Sequence, residues 1–273
     1  MSDGIRLVVC DLDGTLLASD KRVTPHTAAA IRRAREAGVA VTVCSGRIHA
    51  MMAGYLRDIG VEGPYIAANG AVVADAGSGR LVWGAPIPGE DAAAVMEKAA
   101  ADGYDVGALG TMGCYFLRKS VCMERFLAYN RIMEPKGVLG VACKLLAANE
   151  PLPEEVYKLL VCEEDDERRQ SMMEFIADRP TLNCTSSEPM LLDVSVRGVD
   201  KGTGLRRLME LTGLKREQVC AFGDYLNDLP MLREAGFAVA MSNGCAELKA
   251  VADMVAPGND EDGVAQIIER YIV

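Results

Sequence analysis

Short apolar runs alternate with amphipathic stretches through the first third of the chain. The apolar runs are rich in β-branched residues, which is typical of buried strands. Between the first two runs, Thr24-Pro25 has the form of a helix N-cap and alanines recur at helical spacing. We predict strands over Arg6–Cys10, Val39–Cys44 and Tyr65–Ala67, with helices after Thr24 and over Ile48–Asp58. Strands that alternate with helices predict a parallel, doubly wound sheet.

The pattern changes between residues 86 and 193. Short strand-like runs and two helical stretches, Glu90–Ala101 and Asp165–Ala177, favour an antiparallel sheet with helices on one face, and residues 130–140 have the pattern of a loop. After Lys201 the alternation of helix and strand resumes. We therefore predict an α/β, Rossmann-like core domain formed by residues 1–85 and 194–273, interrupted by an inserted α+β cap domain at 86–193.

Composition narrows the class of protein and of partner. Half of the 273 residues are hydrophobic and 25% are charged, as in ordinary soluble domains, while a net charge of -10 disfavours nucleic acid and anionic membranes as partners. We expect no signal peptide and no membrane span, because no run approaches the ~18 apolar residues that a span requires. Nine cysteines without regular spacing predict free thiols and a cytoplasmic protein. The choice between monomer and homodimer stays open.

Two carboxylates follow the first predicted strand, in Asp11-Leu12-Asp13-Gly14-Thr15. Side chains at positions i and i+2 of an extended chain can project to one side, and a glycine permits a tight turn after them. Neighbouring carboxylates repel unless a cation lies between them or one is protonated. Asp11 can therefore bind Mg²⁺ and attack phosphorus, while Asp13 can protonate the leaving oxygen and then activate water. Taken alone, the motif is also explained by an acidic turn.

Two further segments offer groups that bind phosphate. Ser45-Gly46-Arg47 follows the second strand and supplies a hydroxyl, an unhindered N–H and a helix start, so Ser45 and Gly46 are candidate phosphate ligands. Arg47 is a candidate substrate contact. Lys201 opens a later helix and would add a positive charge that offsets the carboxylates. Taken singly, the first segment is better explained as an N-cap with a turn, and the lysine as a solvated surface residue.

A third acidic segment follows a strand near the end of the chain, in Gly223-Asp224-Tyr225-Leu226-Asn227-Asp228. Three side chains with hard oxygen ligands within five residues suit Mg²⁺, which prefers carboxylates. The alternative is a polar turn that caps the next helix. Both roles can coexist at Asp228, which precedes Leu229-Pro230.

These motifs recur in order at the carboxyl ends of strands or the starts of helices, where open α/β sheets build ligand sites. The combination of Asp11-x-Asp13-Gly-Thr, Ser45-Gly-Arg, Lys201-Gly and Gly-Asp224-x-x-Asn227-Asp resembles the haloacid dehalogenase superfamily of phosphohydrolases. Asn69-Gly70-Ala71 and residues 197–202 further resemble its Cof-type branch, which carries a large α/β cap inserted after the second motif. The resemblance covers nearly the whole chain.

The resemblance implies a role for each acidic residue of the motifs. Asp11 would be the nucleophile and a ligand of Mg²⁺, and Asp13 the general acid and base, with its backbone carbonyl also on the metal. Asp224 would be a direct metal ligand, while Asp228 would support the metal or its waters.

The resemblance also implies a set of phosphate contacts. Ser45 and Lys201 would hold the transferring phosphoryl group, and Asn227 would contact that group or lie just behind it. Ser45 stands where threonine is commoner, but either residue supplies the hydroxyl. Tyr225 stands where smaller or polar residues are frequent.

The function predicted on these grounds is Mg²⁺-dependent hydrolysis of a small phosphorylated metabolite, such as a sugar phosphate, pyridoxal phosphate or a flavin-precursor phosphate. A phosphomutase or phosphotransferase on the same fold is the first alternative. A non-catalytic binding protein is the second, although such a protein would tolerate loss of the carboxylates that are present here. The segment Ser186–Met190 is predicted to reach the pocket, with Glu188 as a candidate substrate contact, and a hairpin turn explains this segment equally well.

Overall fold

The computed structural model describes residues 4–111, 113–147, 150–188 and 190–273. In those ranges the strands are β1 Leu7–Cys10, β2 Ala40–Val43, β3 Pro64–Ala67, β4 Val72–Asp75, β5 Leu81–Gly84, β6 Asp105–Gly110, β7 Gly113–Phe116, β8 Ala142–Leu145, β9 Val156–Cys162, β10 Leu182–Glu188, β11 Leu191–Val196, β12 Val219–Gly223, β13 Phe237–Met241 and β14 Met254–Ala256. The α-helices are α1 Pro25–Glu36, α2 Ala53–Ile59, α3 Gly89–Asp102, α4 Val121–Met133, α5 Asp166–Ala177, α6 Lys201–Thr212, α7 Leu229–Glu234, α8 Ala246–Val251 and α9 Gly263–Ile267.

The chain divides into two compact units. The first unit contains Met1–Gly46, Tyr55–Trp83 and Asp200–Val273, and the second contains Arg47–Gly54 and Gly84–Val199. The second unit thus consists of two segments that interrupt the sequence of the first, and the cap boundaries predicted at 86–193 stay a prediction. Among the described residues, helices of the length and apolar character needed to span a bilayer are absent.

A parallel sheet of five strands forms the centre of the first unit. Its order is β14-β13-β12-β1-β2, and every pair of neighbouring strands is parallel, so the predicted doubly wound α/β class is confirmed. All four residues of β1 are buried, as expected for a strand covered on both faces. Cys10 at the end of β1 lies opposite Phe222 of β12 and Val43 of β2. The carboxyl ends of these three strands therefore lie side by side.

The third predicted strand exists, but its predicted place in the parallel sheet was wrong. The predicted extent of the second helix was also wrong. β3 pairs antiparallel with β4 in a separate sheet of order β3-β4-β5, and an isolated parallel bridge joins Ile66 to Cys44, the residue after β2. The physical reason is the turn at Asn69-Gly70, which reverses the chain directly after β3. The stretch predicted as one helix over Ile48–Asp58 contains a 3₁₀ turn at His49–Met51, followed by α2.

Local sequence accounts for the helices that begin nearest the site. Thr24 caps α1 by accepting a hydrogen bond from the Thr27 N–H at 3.0 Å, and a proline occupies the first turn. Asp200 caps α6 in the same way, accepting from the Thr203 N–H at 2.8 Å. The Asp200 cap fixes the start of α6, where Lys201 is the first residue.

The second unit contains a six-stranded sheet of order β10-β11-β9-β6-β7-β8. The antiparallel pairing predicted for it holds except at the edge, where β8 runs parallel to β7. The prediction of helices on one face was wrong. Val106 of β6 packs in a core with residues of α3 and α5, whereas a Cβ at Gly107 would lie 3.3 Å from Sγ of Cys122 in α4. Successive strand residues point to opposite faces, so helices cover both faces.

Helix α4 was missed from the sequence. It begins at Val121 after the cap Ser120, runs to Met133, and continues as a 3₁₀ turn over Glu134–Lys136. The loop predicted over residues 130–140 therefore begins several residues too early. The buried side chains of α4 do follow helical spacing, at Cys122, Met123, Phe126, Tyr129 and Met133.

A buried ion pair joins two strands of the second unit. Nζ of Lys158 on β9 lies 2.6 Å from Oδ1 of Asp193 on β11, and the two side chains are 9% and 3% exposed. We expect Lys158→Met to lower the free energy of unfolding by about 3–5 kcal/mol, because it leaves a buried carboxylate without its counter-charge. The double variant Lys158→Met/Asp193→Leu should recover most of this loss. Urea unfolding measures both.

The control is Arg131→Met, which removes an exposed ion pair with Glu124 in the same unit. It should change the free energy of unfolding by less than about 1 kcal/mol. A loss for Lys158→Met no greater than that of the control would contradict the expectation.

Candidate active site

The ends of three neighbouring strands bring distant motifs together in the first unit. The Asp11 N–H donates to the carbonyl of Phe222 at 3.0 Å, and the Cys44 N–H donates to the carbonyl of Cys10 at 2.9 Å. Asp11 after β1, Ser45 after β2 and Asp224 after β12 consequently leave the sheet at one edge. This is the edge at which open α/β sheets bind ligands.

Lys201 lies in the middle of this edge. Its side chain is fully buried, and Nζ lies 2.6 Å from Oδ1 of Asp11. Nζ also donates to Oδ1 of Asp228, which is equally buried. The explanation of Lys201 as a solvated surface residue is therefore wrong. We call the cluster of Asp11, Lys201, Asp224 and Asp228 the carboxylate site.

Asp228 has hydrogen-bond partners on both carboxylate oxygens. Oδ1 accepts from Lys201, while Oδ2 accepts from the backbone N–H groups of Asp224 at 3.0 Å and Tyr225 at 3.1 Å. The carboxylate thus closes the loop that follows β12 and fixes the lysine at the same time. A Cβ at Gly223 would lie 2.4 Å from Cβ of Asp228, so glycine is required for this close approach.

Asp224 is held against the loop that follows Asp11. Oγ1 of Thr15 donates to Oδ1 of Asp224 at 2.8 Å. Gly14 has a φ of +84°, and a Cβ there would lie 2.4 Å from Oδ2 of Asp224. Glycine at this position therefore allows both the left-handed turn and the approach of the carboxylate.

Burial dominates the electrostatics of the carboxylate site. It raises the pKa of Asp11 well above its usual range, although the charge of Lys201 opposes that shift. Burial and the neighbouring charge of Asp228 raise the pKa of Asp224 to about 6. Burial would lower the pKa of Lys201, but the charges of Asp11 and Asp228 outweigh it, so the pKa of Lys201 is raised. The lysine is a permanent cation at neutral pH.

The residues present fit a divalent cation. Asp11, Asp224 and Asp228 each offer a carboxylate oxygen within 4.8 Å of the other two. With all three carboxylates ionised beside the one ammonium group, the cluster would carry two net negative charges, which a divalent ion balances. Hard carboxylate ligands are those that Mg²⁺ prefers. Because both oxygens of Asp228 already accept hydrogen bonds, Asp11 and Asp224 are the better direct ligands.

Asp13 is set apart from the buried cluster. Its side chain is 37% exposed, and Oδ1 lies 2.8 Å from Nζ of Lys21. Lys21 has a φ of +64° and lies in a tight turn closed by its N–H on the carbonyl of Ala18. The turn thus brings a cation to the predicted general acid and base.

The predicted phosphate contacts lie on adjoining loops of the first unit. Ser45 is buried, and its backbone carbonyl accepts from the Asn69 N–H at 3.0 Å. Nδ2 of Asn227 donates to Oδ1 of Asn69 at 3.2 Å. Gly46 lies against the same asparagine, because a Cβ there would be 2.9 Å from its Oδ1. Ser45, Gly46 and Asn227 are therefore brought together through Asn69.

The two predicted substrate contacts do not belong to this unit. Arg47 begins the short segment that groups with the second unit. Glu188 ends β10 in the second unit, and its side chain, like those of Ser186 and Ser187, lies outside the described part of the structure, as does Pro189. Both roles stay predictions.

Sequence reasoning gave no role to three residues that the structure places beside the predicted site. Thr15 holds Asp224, Lys21 pairs with Asp13, and Asn69 joins the phosphate loops. Thr15 could have been found, because it lies inside the first motif. Lys21 and Asn69 act through turns with positive φ at residues other than glycine. Asn69-Gly70 does indicate a turn in the sequence, but the contact of the Asn69 side chain with Asn227 depends on the tertiary fold.

The fold and the carboxylate site define a class of enzyme, and comparison with known proteins supports it. The model of the haloacid dehalogenase-like hydrolase family matches residues 8–268. The chain belongs to this family, and the expected class, a haloacid dehalogenase-type phosphoric monoester hydrolase, is confirmed.

Individual relatives match along nearly their whole length. The 5-amino-6-(5-phospho-D-ribitylamino)uracil phosphatase YwtE of Bacillus subtilis is 28% identical over 301 aligned positions, covering 98% of each chain. The pyridoxal phosphate phosphatase YbhA of Escherichia coli is 27% identical, covering 98% of this chain and 99% of that relative. A haloacid dehalogenase-like hydrolase from Bacteroides thetaiotaomicron superposes with a TM-score of 0.84 at 27% identity, covering 97% of this chain and 99% of the other.

The hydrogen bond from Thr15 orients Asp224 and should therefore support metal binding. We expect Thr15→Val, which removes the donor at nearly constant volume, to weaken Mg²⁺ binding by about tenfold, as losses of supporting hydrogen bonds do at metal sites. Thr15→Ser retains the donor and should bind nearly as the wild type does. Calorimetric titration with Mg²⁺ measures the difference, and equal affinities for Thr15→Val and the wild type would contradict it.

Proposed function

We propose that the protein hydrolyses phosphate monoesters of small metabolites with Asp11 as the nucleophile and Mg²⁺ as the cofactor. The observation that carries the proposal is a buried carboxylate at the end of β1, fixed by a buried lysine and adjoined by two further carboxylates. A carboxylate in this setting is oriented and electrostatically supported, as a nucleophile requires. Phosphoryl transfer needs positioning and charge neutralisation above all.

In the first step an oxygen of Asp11 attacks phosphorus, and the bond from phosphorus to the ester oxygen breaks. Asp13 donates its proton to the leaving alkoxide, which departs as an alcohol, and an aspartyl-phosphate remains. Asp13 suits this role because its side chain is partly exposed and lies outside the buried cluster. Nζ of Lys21 lies 2.8 Å from Oδ1 of Asp13 and can offset the negative charge that Asp13 carries once the proton has left.

In the second step Asp13 removes a proton from water, and the water oxygen attacks phosphorus. The bond from phosphorus to Asp11 breaks, so the carboxylate is restored and inorganic phosphate is released. Lys201 keeps its proton throughout, because two carboxylates surround its ammonium group. It holds Asp11 in place and offsets the negative charge of the phosphoryl group.

Asp11 and Asp224 are the residues that would hold the cofactor, together with the backbone carbonyl of Asp13. Mg²⁺ bound there supplies positive charge to the oxygens of the transferring phosphoryl group. Asp228 keeps Lys201 and the loop after β12 in position. Ser45 offers its hydroxyl, and Gly46 its backbone N–H, to the phosphoryl oxygens, and Asn227 lies behind or against them.

The names of the relatives narrow the proposed substrate class. YwtE is named for a phosphorylated riboflavin precursor and YbhA for pyridoxal phosphate, so small phosphorylated metabolites are the class to test. We assign selection among them to the inserted region at 86–193. Disulfides are absent among the described cysteines, which supports a cytoplasmic location.

The test is a panel of phosphorylated metabolites assayed with Mg²⁺ for release of inorganic phosphate. We expect Asp11→Asn to lower kcat/KM by at least about 10³-fold, since removing a nucleophile eliminates the covalent route. Glu36→Gln, which changes an exposed carboxylate on α1, serves as the control and should retain full activity.

Two outcomes would contradict the proposal. One is phosphate release that persists after the metal has been removed with a chelator. The other is wild-type activity in Asp11→Asn, which would assign the nucleophile to another residue.

A further inference from the structure

Three consecutive residues after β3 adopt left-handed backbone conformations. The φ angles of Ala68, Asn69 and Gly70 are +50°, +53° and +96°. Glycine adopts such angles freely and asparagine tolerates them, but they are unfavourable for alanine. Such strain persists only where the surroundings require it, and it is concentrated at functional sites. We call residues 68–70 the left-handed turn.

The left-handed turn holds the loop that carries the predicted phosphate ligands. The Ser45 N–H donates to the carbonyl of Ile66 at 3.0 Å, and the Asn69 N–H donates to the carbonyl of Ser45 at 3.0 Å. The backbone of Ser45 is therefore bonded on both sides. Gly46 comes so close to the Asn69 amide that any side chain at position 46 would collide with it.

The same asparagine reaches the loop after β12. Its Oδ1 accepts a hydrogen bond from Nδ2 of Asn227, which lies 158 residues away in sequence. This bond fixes the orientation of the Asn227 amide. One side chain therefore contacts both parts of the proposed phosphate cradle, Ser45-Gly46 and Asn227.

The last residue of the turn packs against the start of α6. A Cβ at Gly70 would lie 1.9 Å from the backbone carbonyl oxygen of Asp200, so no other residue fits there. Asp200 caps α6 and directly precedes Lys201. The left-handed turn thus contacts the segments of Ser45, Lys201 and Asn227, but the carboxylates of Asp11 and Asp224 are held by other residues.

We propose that Asn69 is a positioning residue that holds Ser45-Gly46 and Asn227 in the arrangement that binds the phosphoryl group of the substrate. The proposal rests on the proposed phosphatase function. Phosphate binding and metal binding then depend on different residues of the site, because Asn69 supports binding of phosphate and has no part in binding the metal.

Asn69→Gly tests the proposal, because it removes the amide while accommodating the left-handed backbone. We expect this variant to keep the thermal stability and the Mg²⁺ affinity of the wild type. Its affinity for orthophosphate in the presence of Mg²⁺, measured by calorimetry, should fall about tenfold, as expected for one lost hydrogen bond. kcat/KM should fall by a similar factor. Asn69→Ala should show the same functional losses together with a lower melting temperature.

Ala68→Gly is the matched control. It relieves strain in the same turn and leaves the Asn69 amide in place, so it should bind orthophosphate as the wild type does and melt at an equal or higher temperature. This variant separates the effect of the backbone from that of the side chain.

Orthophosphate affinity and kcat/KM equal to those of the wild type in Asn69→Gly would overturn the proposal. A parallel loss of Mg²⁺ affinity or of folding in Asn69→Gly would also overturn it, because the residue would then be structural. The proposed function is tested separately by the wild-type protein. If the wild type releases no phosphate in the presence of Mg²⁺, the proposed function is wrong, whatever the variants show.

Discussion

A buried ammonium group must be matched by negative charge, and this constraint organises the site. Removing an ion from water costs several kcal/mol even after the protein relaxes, so an unpaired lysine at this depth would lose its proton. Lys201 keeps its charge because Asp11 and Asp228 lie against it. The lysine begins α6, Asp11 directly follows β1, and Asp228 ends the turn after β12. One ionic cluster therefore ties three distant segments together.

The carboxylate site contains more acidic than basic side chains, and this excess links the fold to the chemistry. Lys201 balances one of three carboxylates, and burial raises the pKa of Asp224 to about 6. Binding of a divalent cation would favour the ionised form of Asp224, whereas burial in the metal-free fold favours its protonated form. Without metal, the raised pKa of Asp224 makes the fold less stable at higher pH. A carboxyl whose pKa is higher in the folded than in the unfolded protein lowers the free energy of unfolding as the pH rises through the interval between the two values.

Much of this fold followed from local pattern, and the exceptions have physical causes. The buried β-branched runs and the helices between them identified the parallel sheet, because parallel strands are apolar on both faces. Pattern could not show that β3 joins a different sheet, since its four residues have the same character in either place. Helix α4 was overlooked although its buried residues follow helical spacing, because it contains β-branched and aromatic residues that strands also favour.

For the site, too, the sequence predicted which residues lie together but not all the contacts that hold them. The ordered motifs named Asp11, Lys201, Asp224 and Asp228 as one cluster, because strand ends of a parallel sheet meet at one edge. Motif spacing could not reveal that both oxygens of Asp228 are engaged, or that Asn69 joins Asn227 to Gly46. Those contacts depend on the turns around them. The catalytic roles of the site residues and the predicted boundaries of the cap stay predictions.

The central claim is that Asp11 and Asp224 share one divalent cation beside a charged Lys201. Anomalous X-ray diffraction from crystals soaked in Mn²⁺, which replaces Mg²⁺ at oxygen sites, tests it most directly. The account predicts an ion with carboxylate oxygens of Asp11 and Asp224 at roughly 2.1 Å, with Lys201 still bonded to Asp228. An ion bound elsewhere, or a site in which Asp11 and Asp224 hold no common ion, would contradict it.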